Sequence, residues 1–96
     1  MPSYRSVLSI GDLAPGRSPH DVEHAVRGAV EATTVLEALQ VDVVRGEPRV
    51  TARFTGTDDA EAREVHARTT AAVRAVAQVP RSRLAVVVSG RSAYLG

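Results

Sequence analysis

Few residues in this chain have types and spacings that chemistry uses: a proline behind Met1, three histidines and a pair of adjacent aspartates. Removal of Met1 would turn Pro2 into a terminal secondary amine. An unperturbed α-amino group titrates near roughly 7.7–8, so a desolvating pocket with cations nearby would leave a free amine able to shuttle protons at neutral pH. His20 and His24 stand four apart, the spacing by which two imidazoles can share a metal on one helical face. Their face is polar, with Arg27 and Glu31 as neighbours and no third ligand nearby, so solvated histidines and no metal are expected. His66 falls at the edge of an apolar helical face, where a hydrogen-bonded packing role is expected. Asp58 and Asp59 open a helix, and capping accounts for both.

Composition closes several routes. All twelve basic residues are Arg, which excludes a lysine Schiff base or a P-loop lysine. Without Cys there is no disulfide, thiolate nucleophile, iron–sulfur cluster or cysteine zinc site. No Ser-His-Asp order, H-E-x-x-H, G-x-S-x-G, G-x-x-x-x-G-K or G-x-G-x-x-G pattern occurs, and no cofactor is implied. The longest apolar run, Leu84 to Val88, is far short of the roughly 18 residues that span a membrane. No membrane partner is expected, and a cytoplasmic location is the default expectation.

The elements that must position these residues follow from periodicity. Tyr4 to Ile10 alternates as a strand, with Tyr4, Leu8 and Ile10 on one side and Arg5, Val7 and Ser9 on the other. Ser18, Pro19 and Asp21 form a helix start, and Val22, Ala25, Val26, Ala29 and Val30 supply its apolar stripe. Its end lies between Ala32 and Leu39. Period two resumes from Leu39, Gly46-Glu47-Pro48 reads as a turn, and Arg49 to Thr55 forms the returning strand of a hairpin. Asp58 caps a second helix that runs to about Gln78. Leu84 to Ser89 is a fourth strand, and Gly90 to Gly96 reads as a short tail.

One domain over residues 1–96 is expected, an α+β sandwich of the ferredoxin-like βαββαβ plan with four mostly antiparallel strands and two helices on one face. The helix-side face takes Leu8, Ile10, Leu39, Val41, Val43, Val50, Ala52, Phe54, Leu84, Val86 and Val88. The open face carries Val7, Ala85 and Val87 beside Arg5, Thr51, Arg53, Asp42 and Val44. It is too apolar at its centre to be left wet, which predicts cover by another subunit or a ligand. Sixteen Val and fifteen Ala against one Phe, two Tyr and no Trp leave few rings for stacking. The same plan occurs in RNA-recognition domains, which stack bases on aromatic residues of the open face. Here the third strand offers only Arg49 and Arg53, with Arg5 beside them, and the net charge of +1 gives little phosphate attraction. Nucleic acid is therefore not an expected partner.

Met1-Pro2, the doubled βαβ plan and the segment Val79-Pro80-Arg81-Ser82-Arg83-Leu84-Ala85-Val86-Val87-Val88 resemble the tautomerase superfamily. That resemblance implies Pro2 as general base on a small keto–enol acid; no other residue of this chain matches the family's site. Asp12 with Pro15-Gly16 ahead of a helix resembles small-molecule-sensing domains of the ACT type. The leading expectation is a small non-catalytic binding or assembly domain, a homo-oligomer and most simply a dimer. It would self-associate through its open sheet face or an edge strand, with Arg5, Val7, Thr51, Arg53, Ala85 and Val87 at the contact and a small-molecule ligand as a further partner. The tautomerase and ACT-like readings stand as alternatives.

Overall fold

Alternation in the first strand is the simplest determinant: Tyr4, Ser6 and Leu8 are buried and their odd-numbered neighbours half-exposed. The computed structural model describes residues 1–95; Gly96, the end of the expected tail, lies outside the described residues. The elements are β1 (Ser3–Ser9), α1 (Pro19–Glu31), β2 (Leu36–Val44), β3 (Glu47–Thr55), α2 (Asp59–Arg74), β4 (Ser82–Val88) and β5 (Arg91–Tyr94). The sheet order is β2-β3-β1-β4-β5 and every adjacent pair is antiparallel. Both helices pack on one side of it. This is the expected ferredoxin-like sandwich with five strands rather than four.

The fifth strand comes from the residues read as a tail. Ser89 and Gly90 have φ of 49° and 77°, a two-residue turn whose backbone twist matches that of paired strands. It folds Arg91–Tyr94 back onto β4. Arg45 and Gly46, at 54° and 79°, make the same turn between β2 and β3, so Glu47 and Pro48 are already strand rather than turn.

α1 starts as expected, with the Asp21 carboxylate accepting from the Ser18 backbone N–H at 2.8 Å. It stops at Glu31, and the Thr34 hydroxyl donates to the Thr55 carbonyl. Arg68 of α2 then serves the free end of α1: its Nε donates to the Ala29 carbonyl at 3.0 Å and its Nη2 to Thr33 Oγ1 at 2.6 Å. A cation at a helix C-terminus complements the dipole there. Strand β2 begins at Leu36, earlier than its alternation shows, because a register shift between Leu36 and Ala38 breaks the period. α2 ends at Arg74 rather than near Gln78. The backbone beyond it pairs with the loop after β1 instead: Gly11 N–H donates to the Gln78 carbonyl, and Gln78 N–H to that of Asp12.

The core joins Tyr4, Leu8, Ile10, Val50, Phe54 and Leu84 of the sheet side to Val22, Val26, Val30, Val65 and Val73 of the helices. Burying each such side chain is worth about 1.5–3 kcal/mol. Three residues assigned to this layer lie outside it. Val41 is 52%, Val43 72% and Val88 55% exposed, so the helices do not cover the outer part of either hairpin. Ala85 departs the other way. It faces the open side in register with Arg5 and Tyr94, yet is fully buried between these larger neighbours.

Candidate functional site

Two arrangements of polar side chains stand out, one on each face of the sheet. On the open face the register sets Arg53 beside Arg5 and Arg5 beside Ala85, then Thr51 beside Val7 and Val7 beside Arg83. The sequence-predicted contact residues Arg5, Val7, Thr51, Arg53, Ala85 and Val87 thus form one continuous patch over β3, β1 and β4. Arg5 Nη1 donates to Ser92 Oγ at 2.8 Å, and the Arg83 guanidinium lies 3.7 Å from the centroid of the Tyr94 ring. Neither Ser92 nor Tyr94 was foreseen here, since β5 itself was not.

Charge is unevenly distributed over this face. The arginines lie on β3, β1 and β4, and the carboxylates of Glu37 and Asp42 on edge strand β2, with Glu47 at the start of β3 beside Val44. Glu37 sits in the bulge, where it accepts from Ser3 Oγ at 2.7 Å and Thr55 Oγ1 at 3.3 Å and lies 3.7 Å from Arg53 Nε. The Nε atoms of Arg49 and Arg53 are nevertheless buried without a hydrogen-bond partner. Buried donors in native proteins are nearly always satisfied, so these two Nε–H groups are short of acceptors.

The second arrangement centres on His66, on the side of the sheet that carries the helices. Its Nδ1 lies 2.5 Å from Ser6 Oγ and its Nε2 2.8 Å from Ser82 Oγ, and Ser82 Oγ lies 2.7 Å from Thr70 Oγ1. Four side chains from β1, α2 and β4 form one chain of hydrogen bonds. Burial lowers the His66 pKa below its ordinary 6.5, which keeps the imidazole neutral. His66, Thr70 and Ser82 open into a surface cavity of about 580 Å³ that Arg74 also lines. The expected boundary role of His66 is met, but its partners come from outside its helix. A signal for them was present: Ser6 has the parity of the core in β1, and Thr70 lies on the inner face of α2. A polar residue at a core position must find a partner.

The remaining candidates stay apart. Pro2 is exposed at the head of β1, where its carbonyl accepts from Gly56 N–H at 3.1 Å, and it lines neither this cavity nor the two smaller ones beside the β2–β3 hairpin. The rings of His20 and His24 are exposed and stacked with centroids 6.5 Å apart.

No protein-family model matches this chain, and no curated protein matches it. Among solved structures it is similar to the crystal structure of a protein described as a candidate chlorite dismutase, at 19% identity and a TM-score of 0.52. The likeness covers 90% of this chain but only 42% of that protein, so this chain spans less than half its length. At such identity the likeness speaks for the architecture alone: the chain has a ferredoxin-like α+β fold.

Proposed function

We propose that this chain is an assembly domain whose open sheet face docks on the same face of a second copy. The observation that carries the reading is the lopsided charge of that face, with the carboxylates of Glu37 and Asp42 on the β2 edge and arginines over β3, β1 and β4. A two-fold axis parallel to the strands turns the second sheet over and brings its β2 above β4 and β5 of the first. Asp42 and Glu37 of each copy then lie over the β4–β5 side of the other, toward Arg83, twice by symmetry. Val7 and Val87 supply the apolar surface at its centre. With strands about 4.8 Å apart and a rise of about 3.3 Å per residue, five strands present on the order of 500 Å² per copy. The pair buries about 1,000 Å², the lower bound for a specific interface.

Sedimentation equilibrium tests this. The parent chain sediments as a dimer at tens of micromolar, and Val87→Glu, which sets an unpaired charge in the contact, sediments as a monomer. Asp42→Arg and Arg83→Asp each weaken the dimer, and the two together restore it. A monomeric parent, or a Val87→Glu dimer as tight as the parent's, would overturn the reading.

A further inference from the structure

The helix-side face carries chemistry that assembly does not use. We propose that Ser82 is a nucleophile with His66 as its base and Ser6 positioning the imidazole, and that the groove beside α2 takes small activated acyl esters bearing an anionic group. The geometry is that of a nucleophile–base–orienter series: Ser82 Oγ at 2.8 Å from His66 Nε2, and Nδ1 at 2.5 Å from Ser6 Oγ. Ser6 is 1% exposed, so its hydroxyl is a fixed partner that water does not displace. In the tautomer protonated on Nδ1, the ring donates to Ser6 and Nε2 accepts the Ser82 hydroxyl proton. Thr70 Oγ1, 2.7 Å from Ser82 Oγ, then donates to the same oxygen and holds its lone pairs in place. Ser82 and His66 both border the 580 Å³ cavity, so an electrophile can reach them. Among the described residues Arg74 is the one cation lining that cavity, and a guanidinium there selects a carboxylate or phosphate on the incoming ester.

In the reaction, Ser82 Oγ attacks the acyl carbon as its proton passes to Nε2. The Oγ–C bond forms, the bond from carbon to the leaving oxygen breaks, and the leaving group departs with the proton held by the imidazolium. Water then attacks the Ser82 ester with Nε2 taking its proton, the acid is released and Ser82 recovers its hydrogen.

The test is labelling with phenylmethylsulfonyl fluoride, followed by intact mass and peptide mapping. One sulfonyl adduct on Ser82 is expected, with fluoride displaced, and a rate at least about 100-fold lower in His66→Gln. Ser6→Ala shifts the midpoint of the pH–rate profile and Ser6→Thr restores it. Hydrolysis of 4-nitrophenyl hydrogen succinate proceeds with a lower KM than that of 4-nitrophenyl acetate, and Arg74→Gln removes the difference. No adduct, an adduct at another residue, or parent-like labelling of His66→Gln overturns the proposal, and equal KM values for the two esters overturn its anionic-substrate part. Should His66→Gln fail to fold, the parent's profile decides. Labelling that rises through a midpoint below about 6.5 supports the pair, and labelling that rises only in alkali overturns it.

Discussion

Replacing Gly56 by Ala adds one methyl group where the fold has no room for it. A Cβ built there would stand 2.8 Å from Tyr4 Cε2 and 3.0 Å from Cδ2, closer than real Cβ atoms approach a ring. The ring cannot simply withdraw. Its hydroxyl donates to Asp59 Oδ1 at 2.7 Å, and its face stacks on Phe54 with centroids 5.9 Å apart and 23° between planes. Relief therefore requires either a strained core, at about 1–3 kcal/mol, or a lengthened Tyr4–Asp59 bond, at about 1 kcal/mol. Reduced freedom of the unfolded chain returns about 0.4–1 kcal/mol. The net expectation is a loss of about 1 kcal/mol, which for a chain of 96 residues lowers Tm by on the order of 4–8 °C. Urea denaturation of Gly56→Ala, Tyr4→Leu and the double variant measures it. Because the branched side chain of Leu frees the space of the ring edge, the double variant loses at least about 1 kcal/mol less than the two single losses added. Additive losses, or a Gly56→Ala variant within about 0.5 kcal/mol of the parent, would refute the contact between residue 56 and the ring.

Three further expectations concern stability. His66 is half-buried and its pKa is lowered by desolvation, so the unfolded chain binds a proton more readily; its contribution is full above about pH 6.5 and is lost as the pH falls through that value toward the lower folded pKa. Urea midpoints at pH 7.5 and 5 should therefore differ less in His66→Gln than in the parent. The Tyr4 phenol is pushed up to about 12, chiefly by burial and then by its bond to Asp59. Its stabilising effect is present below about pH 10 and is lost between there and about 12, and phenolate absorbance of a Tyr94→Phe variant follows Tyr4 alone. Asp58 caps α2 by accepting from Glu61 N–H at 2.8 Å, and Asp58→Ala should lower the unfolding free energy by about 1 kcal/mol in urea titration.

The sandwich was legible because each half of the chain repeats a change of period, from two in Tyr4–Ile10 to 3.6 in Val22–Val30 and back. Where the reading failed, a backbone device interrupted that period. The bulge at Leu36–Ala38 hid the start of β2, and Ser89–Gly90 made a hairpin from a pair of residues that also suits a tail. Exposure of Val41 and Val43 depends on how far α1 reaches across the sheet, a length that alternation along one strand does not encode. The patch on the open face was readable from parity alone. The His66 cluster was not, because its members are separated by 60 residues in one case and 16 in the other, and only the register of β1 against β4 brings Ser6 and Ser82 to the same ring.

That register also ties the two faces together. β1 is the middle strand of five, and its consecutive residues Arg5, Ser6 and Val7 point alternately to the open face and to the helices. Arg5 pairs with Ala85 and Val7 with Arg83, while Ser6 between them pairs with Leu84, two residues from Ser82. A slip of one residue would therefore exchange the arginine patch with the hydroxyl that holds His66. The short polar Ser6 costs the core an apolar contact, and in return it fixes which side of β1 faces inward. Ser6→Ala tests this directly. It adds no bulk but leaves His66 Nδ1 without its partner, so it should destabilise by about 1–3 kcal/mol. A Ser6→Ala variant as stable as the parent would mean that the imidazole turns to solvent at no cost, and that the hydrogen-bond chain is not a constraint on the fold.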